Sequence, residues 1–266
     1  KVVATQSFGE SMAGVPATKG MRLRNGAVAF VYVSTLLLQY VDEGKVELDD
    51  TIDRWLPDLP SADKATLRMF ANQTGIPNYE QDQAWELAFN QNPFRKWTYS
   101  HTNFMLLGKI LSEVGGKPLA KLLKQNVLKP LGLKATVASQ TSRIPDPVLH
   151  AFSAERRGAL GLAADVPFLE ESTFWNMAWG TPVGATQTTN IYDLARTARA
   201  VGTGALLSKK SYRAMTQPRL LGFGHRADNC APVCFEQSVG YNYGLGIVRT
   251  GDWLIQNPLL GGYGST

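Results

Sequence analysis

The longest apolar stretch of the chain runs from Ala27 to Val41, Ala-Val-Ala-Phe-Val-Tyr-Val-Ser-Thr-Leu-Leu-Leu-Gln-Tyr-Val, without one charged residue. A strand usually runs four to eight residues, so this segment predicts a helix of about four turns, buried on nearly every side, at the centre of a domain. Asn25-Gly26 supplies a turn at its mouth, and Asp42-Glu43-Gly44-Lys45 a polar exit with a glycine stop. The N-terminus of such a helix should open into the domain's cleft. Upstream, residues 1–8 and Met21-Arg-Leu-Arg24 alternate like strands across a turn-rich 9–20 segment, which predicts a hairpin leading into the helix.

Downstream the period changes. Thr51–Leu56, Ala65–Tyr79, an amphipathic 80–91, Phe104–Val114 and a Pro118-led helix ending near Leu133 predict an all-helical lobe over about 51–189, with 134–189 broken by Pro and Gly. Trp97–Asn103 reads as an irregular loop at the edge of the cleft. Asn190 and Ser208 cap two further helices, and Tyr241–Val248 and Trp253–Gln256 read as strands returning to the sheet. The fold class is therefore α/β (α+β): an antiparallel sheet flanked by helices, built from about 1–50 and 190–266, plus the helical lobe, all in one domain of residues 1–266.

Composition narrows the function. A chain of 266 residues, 44% hydrophobic, can bury a sizeable core in one large domain. The net charge of +5 is spread thinly, with no cationic run longer than Lys209-Lys210 or Arg156-Arg157, which argues against nucleic-acid binding. No run approaches the roughly 18 to 20 apolar residues of a membrane span. The start Lys1-Val-Val-Ala lacks a signal-peptide pattern and the final Tyr263-Gly-Ser-Thr266 lies within a strand-like stretch, so the natural protein is expected to continue beyond both ends. Cys230 and Cys234 flank Ala-Pro-Val, and Pro232 can bend the chain enough to bring the pair within disulfide reach. A disulfide and an oxidising compartment are favoured over a metal site with His225 and Asp228, whose spacing matches no standard zinc arrangement.

The Arg24-Asn-Gly26 entry, the buried helix and the exit Asp42-Glu-Gly-Lys-Val-Glu-Leu-Asp-Asp50 together resemble the serine β-lactamase and penicillin-binding-protein-like superfamily. The likeness is greatest to its branch of class C β-lactamases, D,D-peptidases and esterases. The resemblance extends over nearly the whole chain, through Leu67-Arg-Met-Phe-Ala-Asn-Gln-Thr-Gly-Ile-Pro-Asn-Tyr79 and Tyr99-Ser-His-Thr-Asn-Phe-Met-Leu-Leu-Gly108. It implies a Ser-x-x-Lys pair on the first turn of the central helix, a Tyr-x-Asn loop, and a Lys-Thr-Gly or His-x-Gly edge strand that holds the substrate carboxylate.

Position by position, that machinery is missing. Ungapped alignment from Gly44 puts Ala27 at the nucleophile and Phe30 at the lysine; Tyr99 matches the family tyrosine and His101 replaces the asparagine. The third motif falls at Gln256-Asn257-Pro258, without cation or glycine, and proline cannot donate to a central strand. With no lysine beside it, Tyr99 is expected to keep a pKa near 10. Backbone N–H groups at Ala27 and near Leu259 could still form an oxyanion hole, so ligand binding would fall to Ala27, Tyr99, His101, Gln256, Asn257 and Leu259.

Substitute nucleophiles are poor. Ser34 lies nearly two turns down the helix and is expected to bond back to a carbonyl, while Ser100 adjoins His101 in an extended loop. Ser61-Ala-Asp-Lys64 and Gly9-Glu-Ser11-Met-Ala13 are chance matches in the wrong structural contexts. The expectation is a non-catalytic homologue in the cell envelope or outside the cell. It would need no cofactor or metal and would hold a peptidoglycan-like or small-molecule ligand, or a partner protein, in the inherited cleft. The alternatives are an active serine hydrolase with an unidentified nucleophile and a structural envelope partner with a collapsed cleft.

Overall fold

A computed structural model describes residues 4–75, 97–139, 141–175, 182–185, 187–224, 235–256 and 259–264. At its centre helix α1 spans Val28–Asp42, and every residue in it except Gln39, Val41 and Asp42 is buried. Its many β-branched residues are mediocre helix formers, so burial carries the helix: each fully enclosed Val, Leu or Phe contributes about 1.5–3 kcal/mol. Gly44, at φ +69°, ends the helix, and the N–H of Lys45 folds back to Tyr40 O at 2.9 Å.

Helices α2 (Leu67–Ala71), α3 (His101–Gly115) and α4 (Leu119–Leu123) follow, the last running on into a π-helical turn over Lys124–Leu128. α3 and α4 pack on α1, and α2 packs on α3. Helix α5 spans Ile191–Thr203, and helix α6, Lys209–Thr216, packs on α1. Both begin as the sequence predicts: Asn190 accepts from the N–H of Asp193 and Ser208 from that of Ser211.

The strands are short and pair antiparallel. β1 (Glu10–Met12) pairs with β2 (Val15–Pro16), and β3 (Leu23–Arg24) pairs with β7 (Gln187–Thr189), which also pairs with β4 (Val137–Ala138). β5 (Phe152–Ser153) pairs with β6 (Glu170–Glu171), while β8 (Asn242–Tyr243), β9 (Val248–Thr250) and β10 (Trp253–Ile255) form a meander. β11 (Leu259–Leu260) pairs with β12 (Tyr263–Gly264). Residues 4–8, the described part of the expected hairpin's first arm, form no strand, and Leu23–Arg24 pairs with β7 instead. Among the described residues the first hairpin is β1–β2, turned at Gly14 with φ +75°, where glycine meets no steric penalty. Strands β4 to β7 also lie within 134–189, where the Pro and Gly content had obscured any pattern.

Two buried charges tie the layers together. Asp193, 2% exposed, accepts from Ala135 N (2.8 Å), Thr136 N (2.9 Å) and Thr136 Oγ1 (2.9 Å), fixing α5 to the approach of β4. Arg24 is 2% exposed and donates to Ser142 O at 2.7 Å; burial lowers its pKa, partly opposed by Tyr263. No helix among the described residues is long and apolar enough to cross a membrane. The 80–91 helix expected from the sequence lies outside the described residues.

Candidate ligand-binding cleft

The mouth of α1 is set by Asn25, whose N–H bonds to Gln187 O on β7 at 3.2 Å, and by Gly26 at φ +49°. The first turn is tight: the N–H groups of Val28, Ala29 and Phe30 bond to Asn25 O, Gly26 O and Ala27 O at 3.1, 3.1 and 2.9 Å. Those amides are spent within the helix, and the Ala27 N–H is not among them. Ala27 is partly exposed and packs against the main core.

One turn on, the side chain of Phe30 is fully buried. Its ring stacks on Phe104 of α3 (centroids 4.1 Å, 10° apart), stands edge-on to His101 (5.4 Å) and tilts against Tyr99 (6.0 Å). Tyr99 touches His101 at 5.7 Å and Tyr243 of β8 at 6.0 Å, and Tyr243 leads on to Trp97 at 5.6 Å. Aromatic rings thus fill the position that the resemblance assigns to a lysine amine.

Polar groups hold this cluster in place. Gln73, left-handed at φ +69°, accepts through Oε1 from Ser100 N (3.0 Å) and Asn103 Nδ2 (2.8 Å), pinning the 97–100 segment onto the start of α3. Trp97 Nε1 donates to Asn72 O at 3.0 Å. Gln256 Nε2 donates to Gly246 O at 2.9 Å, and Gly246 N donates to Ala71 O at 2.9 Å. The Tyr243 hydroxyl faces the Gln73 and Gln256 amides without a well-formed hydrogen bond.

Several expectations are corrected here. Tyr99 does not keep an ordinary pKa: burial, then the Tyr243 and Tyr241 phenols, push it well above 10, so its hydroxyl stays protonated and is a still poorer base. His101 is the first residue of α3, not part of an extended loop, and Ser100 before it is fully buried with its N–H held by Gln73. Ser34 makes no bond back along the helix. Its buried Oγ has no partner among the described residues and lies where a Cβ on Gly246 would collide with it, while Thr35 Oγ1 makes the i−4 bond, to Val31 O at 2.8 Å.

Phe30, Tyr99 and His101 come together in one cluster with Tyr243, and Gln256 reaches it through Tyr243. Leu259 lies on β11. Asn257, Pro258, Cys230 and Cys234, with His225 and Asp228 of the weighed metal site, lie outside the described residues. Sequence reasoning missed Gln73, Phe104 and Tyr243. Gln73 sits in the Asn72-Gln-Thr-Gly75 segment with no periodic signal, and Phe104 and Tyr243 read as ordinary core positions.

A central buried helix, further helices packed on it and antiparallel strands define a β-lactamase/transpeptidase-like fold. The Beta-lactamase family profile matches residues 1–265, and the chain belongs to that family. Penicillin-binding protein 4* of Bacillus subtilis (strain 168) is 25% identical over 260 residues, covering 86% of this chain and 50% of its own length. A putative D-alanyl-D-alanine carboxypeptidase of Escherichia coli (strain K12) is 28% identical over 197 residues, covering 60% of this chain and 44% of its own. This chain thus spans about half the length of these curated relatives. The D-amino acid amidase from Ochrobactrum anthropi SV3, complexed with D-phenylalanine, superposes with a TM-score of 0.75 at 22% identity, over 97% of this chain and 77% of that one.

Proposed function

We propose that this protein is a non-catalytic member of the Beta-lactamase family, which uses the mouth of the inherited cleft as a binding surface for a small or peptidoglycan-like ligand in the cell envelope. The observation that carries this is Phe30: its fully buried ring, stacked at 4.1 Å on Phe104, takes the volume of the activating lysine. Ala27 offers no oxygen for a covalent step, and Tyr99 is held protonated. Losing nucleophile and base together removes the acyl-enzyme route, because the two act as a unit. Around the sealed ring, Ala27, Tyr99 and His101 stay partly exposed, which supports a shallow recognition surface.

The relatives bear the names of a D-alanyl-D-alanine carboxypeptidase and a D-amino acid amidase, so a peptide ending in a D-amino acid is the ligand to try first. A second reading, a structural envelope partner with a collapsed cleft, draws on the same Phe30 packing. Work outside the cytoplasm is proposed from the Cys230–Cys234 pair, and two free thiols in protein from its native compartment would remove that argument.

The test is intact-mass spectrometry after incubation with a penicillin and with a fluorophosphonate. No adduct is expected on the wild-type chain, nor on Ala27→Ser or Phe30→Lys alone, whereas the double variant is expected to acylate slowly. Turnover by the wild-type chain that a serine-directed inhibitor abolishes would establish a hydrolase with a relocated nucleophile. Titration with D-alanyl-D-alanine by NMR then separates the binding reading, with shifts at Ala27, Tyr99 and His101, from the structural one, with none.

A further inference from the structure

At the opposite end of α1, about 22 Å from Ala27 at 1.5 Å per residue, lies an open surface depression of about 390 Å³ lined by Lys45, Arg54, Trp55, Glu113 and Val114. That volume suits a small organic molecule. Its walls carry both signs of charge and one apolar side.

The two cations are held differently. Lys45 Nζ sits over the Tyr40 ring, 4.7 Å from its centroid, and is already paired with Glu43 at 2.6 Å. Arg54 lies over the Trp55 ring at 5.1 Å, and the one carboxylate paired with it among the described residues, on Asp50, is 3.9 Å away, beyond hydrogen-bond range. A guanidinium laid on an indole keeps its orientation while its N–H fork remains available, the arrangement that receives a carboxylate. Glu113, near the end of α3, makes no ion pair among the described residues. The buried Tyr40 hydroxyl has no hydrogen-bond partner among the described residues and lies against Gly115, two positions on from Glu113.

We propose that this depression is a second ligand site, separate from the cleft, and that it takes a small zwitterion: an amino acid or dipeptide with a free amine and a free carboxylate. The carboxylate meets Arg54, the ammonium meets Glu113, and an aliphatic side chain covers Val114 and the edge of Trp55. A simple anion leaves Glu113 unmatched and a simple cation leaves Arg54 unmatched, so only a ligand carrying both charges satisfies both walls.

The experiment is a heteronuclear NMR titration of the intact chain with L-leucine, N-acetyl-L-leucine and L-leucinamide. Saturable shifts are expected at 45, 54–55 and 113–114 with L-leucine, and markedly weaker binding of both blocked forms. Arg54 and Glu113 are exposed, so Arg54→Gln and Glu113→Gln should fold, and circular dichroism checks that they do. Each should weaken L-leucine by roughly three- to tenfold. Glu113→Gln should leave N-acetyl-L-leucine unchanged and Arg54→Gln should leave L-leucinamide unchanged, because the group each variant would have met is already gone. Equal binding of the blocked forms, unchanged affinity in folded variants, or the absence of saturable shifts at these residues overturns the proposal. Shifts at Ala27, Tyr99 and His101 instead would assign the ligand to the cleft, which overturns the second site and leaves the cleft reading standing.

Discussion

Replacing Phe30 with alanine tests the packing on which the functional proposal rests. The side chain is wholly buried and makes three ring contacts, to Phe104 at 4.1 Å, His101 at 5.4 Å and Tyr99 at 6.0 Å. Truncating a core phenylalanine costs about 3–5 kcal/mol, including the cavity left behind. In a chain of this size each kcal/mol lowers the melting temperature by about 2–4 °C, so a fall of roughly 10 °C is expected. Phe30→Leu keeps most of the volume and loses the ring geometry, which predicts a cost near 1–1.5 kcal/mol. Phe30→Lys should be at least as damaging as alanine at neutral pH, because it inserts an ammonium among two aromatic rings and an imidazole instead of beside a carboxylate. Urea unfolding followed by circular dichroism, with a thermal scan of each variant, measures all three. If alanine costs under 1 kcal/mol, or lysine is tolerated without loss, the ring does not fill a packed site and the argument from Phe30 fails.

Asp193→Ala should destabilise by roughly 3–5 kcal/mol in the same assay, because Ala135 N, Thr136 N and Thr136 Oγ1 lose a buried charged acceptor; Asp193→Asn, which keeps one carbonyl oxygen, should recover part of it. Asp42 gives an acid-side prediction. Burial alone would raise its pKa, but hydrogen bonds from Ser208 and Ser211 prevail and hold it below 3.8. Its contribution is therefore complete above the unfolded value and lost as pH falls through the lower folded one, so Ser208→Ala with Ser211→Ala should flatten the loss of stability below about pH 4. On the alkaline side, burial pushes the Tyr32 and Tyr241 phenols up to about 12. The unfolded chain releases these protons near pH 10 while the folded chain holds them, so stability should fall as pH rises above 10; the phenolate absorbance of these two residues, read as the difference between wild type and Tyr32→Phe or Tyr241→Phe, should appear near pH 10 only on unfolding, and its appearance there in the folded protein would refute the prediction.

The helices were legible because their signals are local. An uncharged apolar run gave α1 to within one residue of Val28–Asp42, and the Asn190 and Ser208 caps marked the starts of α5 and α6. The assignment of Ala27 and Phe30 to the family's site rests on a signal of the same local kind, a fixed distance from Gly44. Their surroundings were not. The phenols of Tyr241 and Tyr243, which raise the pKa of Tyr99, arrive from more than 140 positions away, and nothing near Tyr99 in the sequence announces them. Gln73 was invisible because its role depends on a left-handed backbone and two donors from another segment. The β1–β2 hairpin was misplaced because strands of two or three residues are too short to show a period.

On the proposed reading, Ala27, Phe30 and Gln256 bear on one another through a single volume. A working site of the kind the resemblance implies must keep a lysine desolvated beside its serine, which costs stability and is tolerated for the sake of chemistry. Once the serine is gone that cost has no return, and an aromatic ring in the lysine's place converts the position from a liability into core. Phe30 packed against Phe104 and His101 does this. Neutral Gln256 fits the same logic, because a cation there would face the buried Tyr243 hydroxyl and the Gln73 amide instead of a bound carboxylate. Reversal is correspondingly uphill. On the proposed reading, a lysine placed at position 30 must displace an established stack before it can reach a serine at position 27, so Phe30→Lys should cost stability before the double variant gains any chemistry.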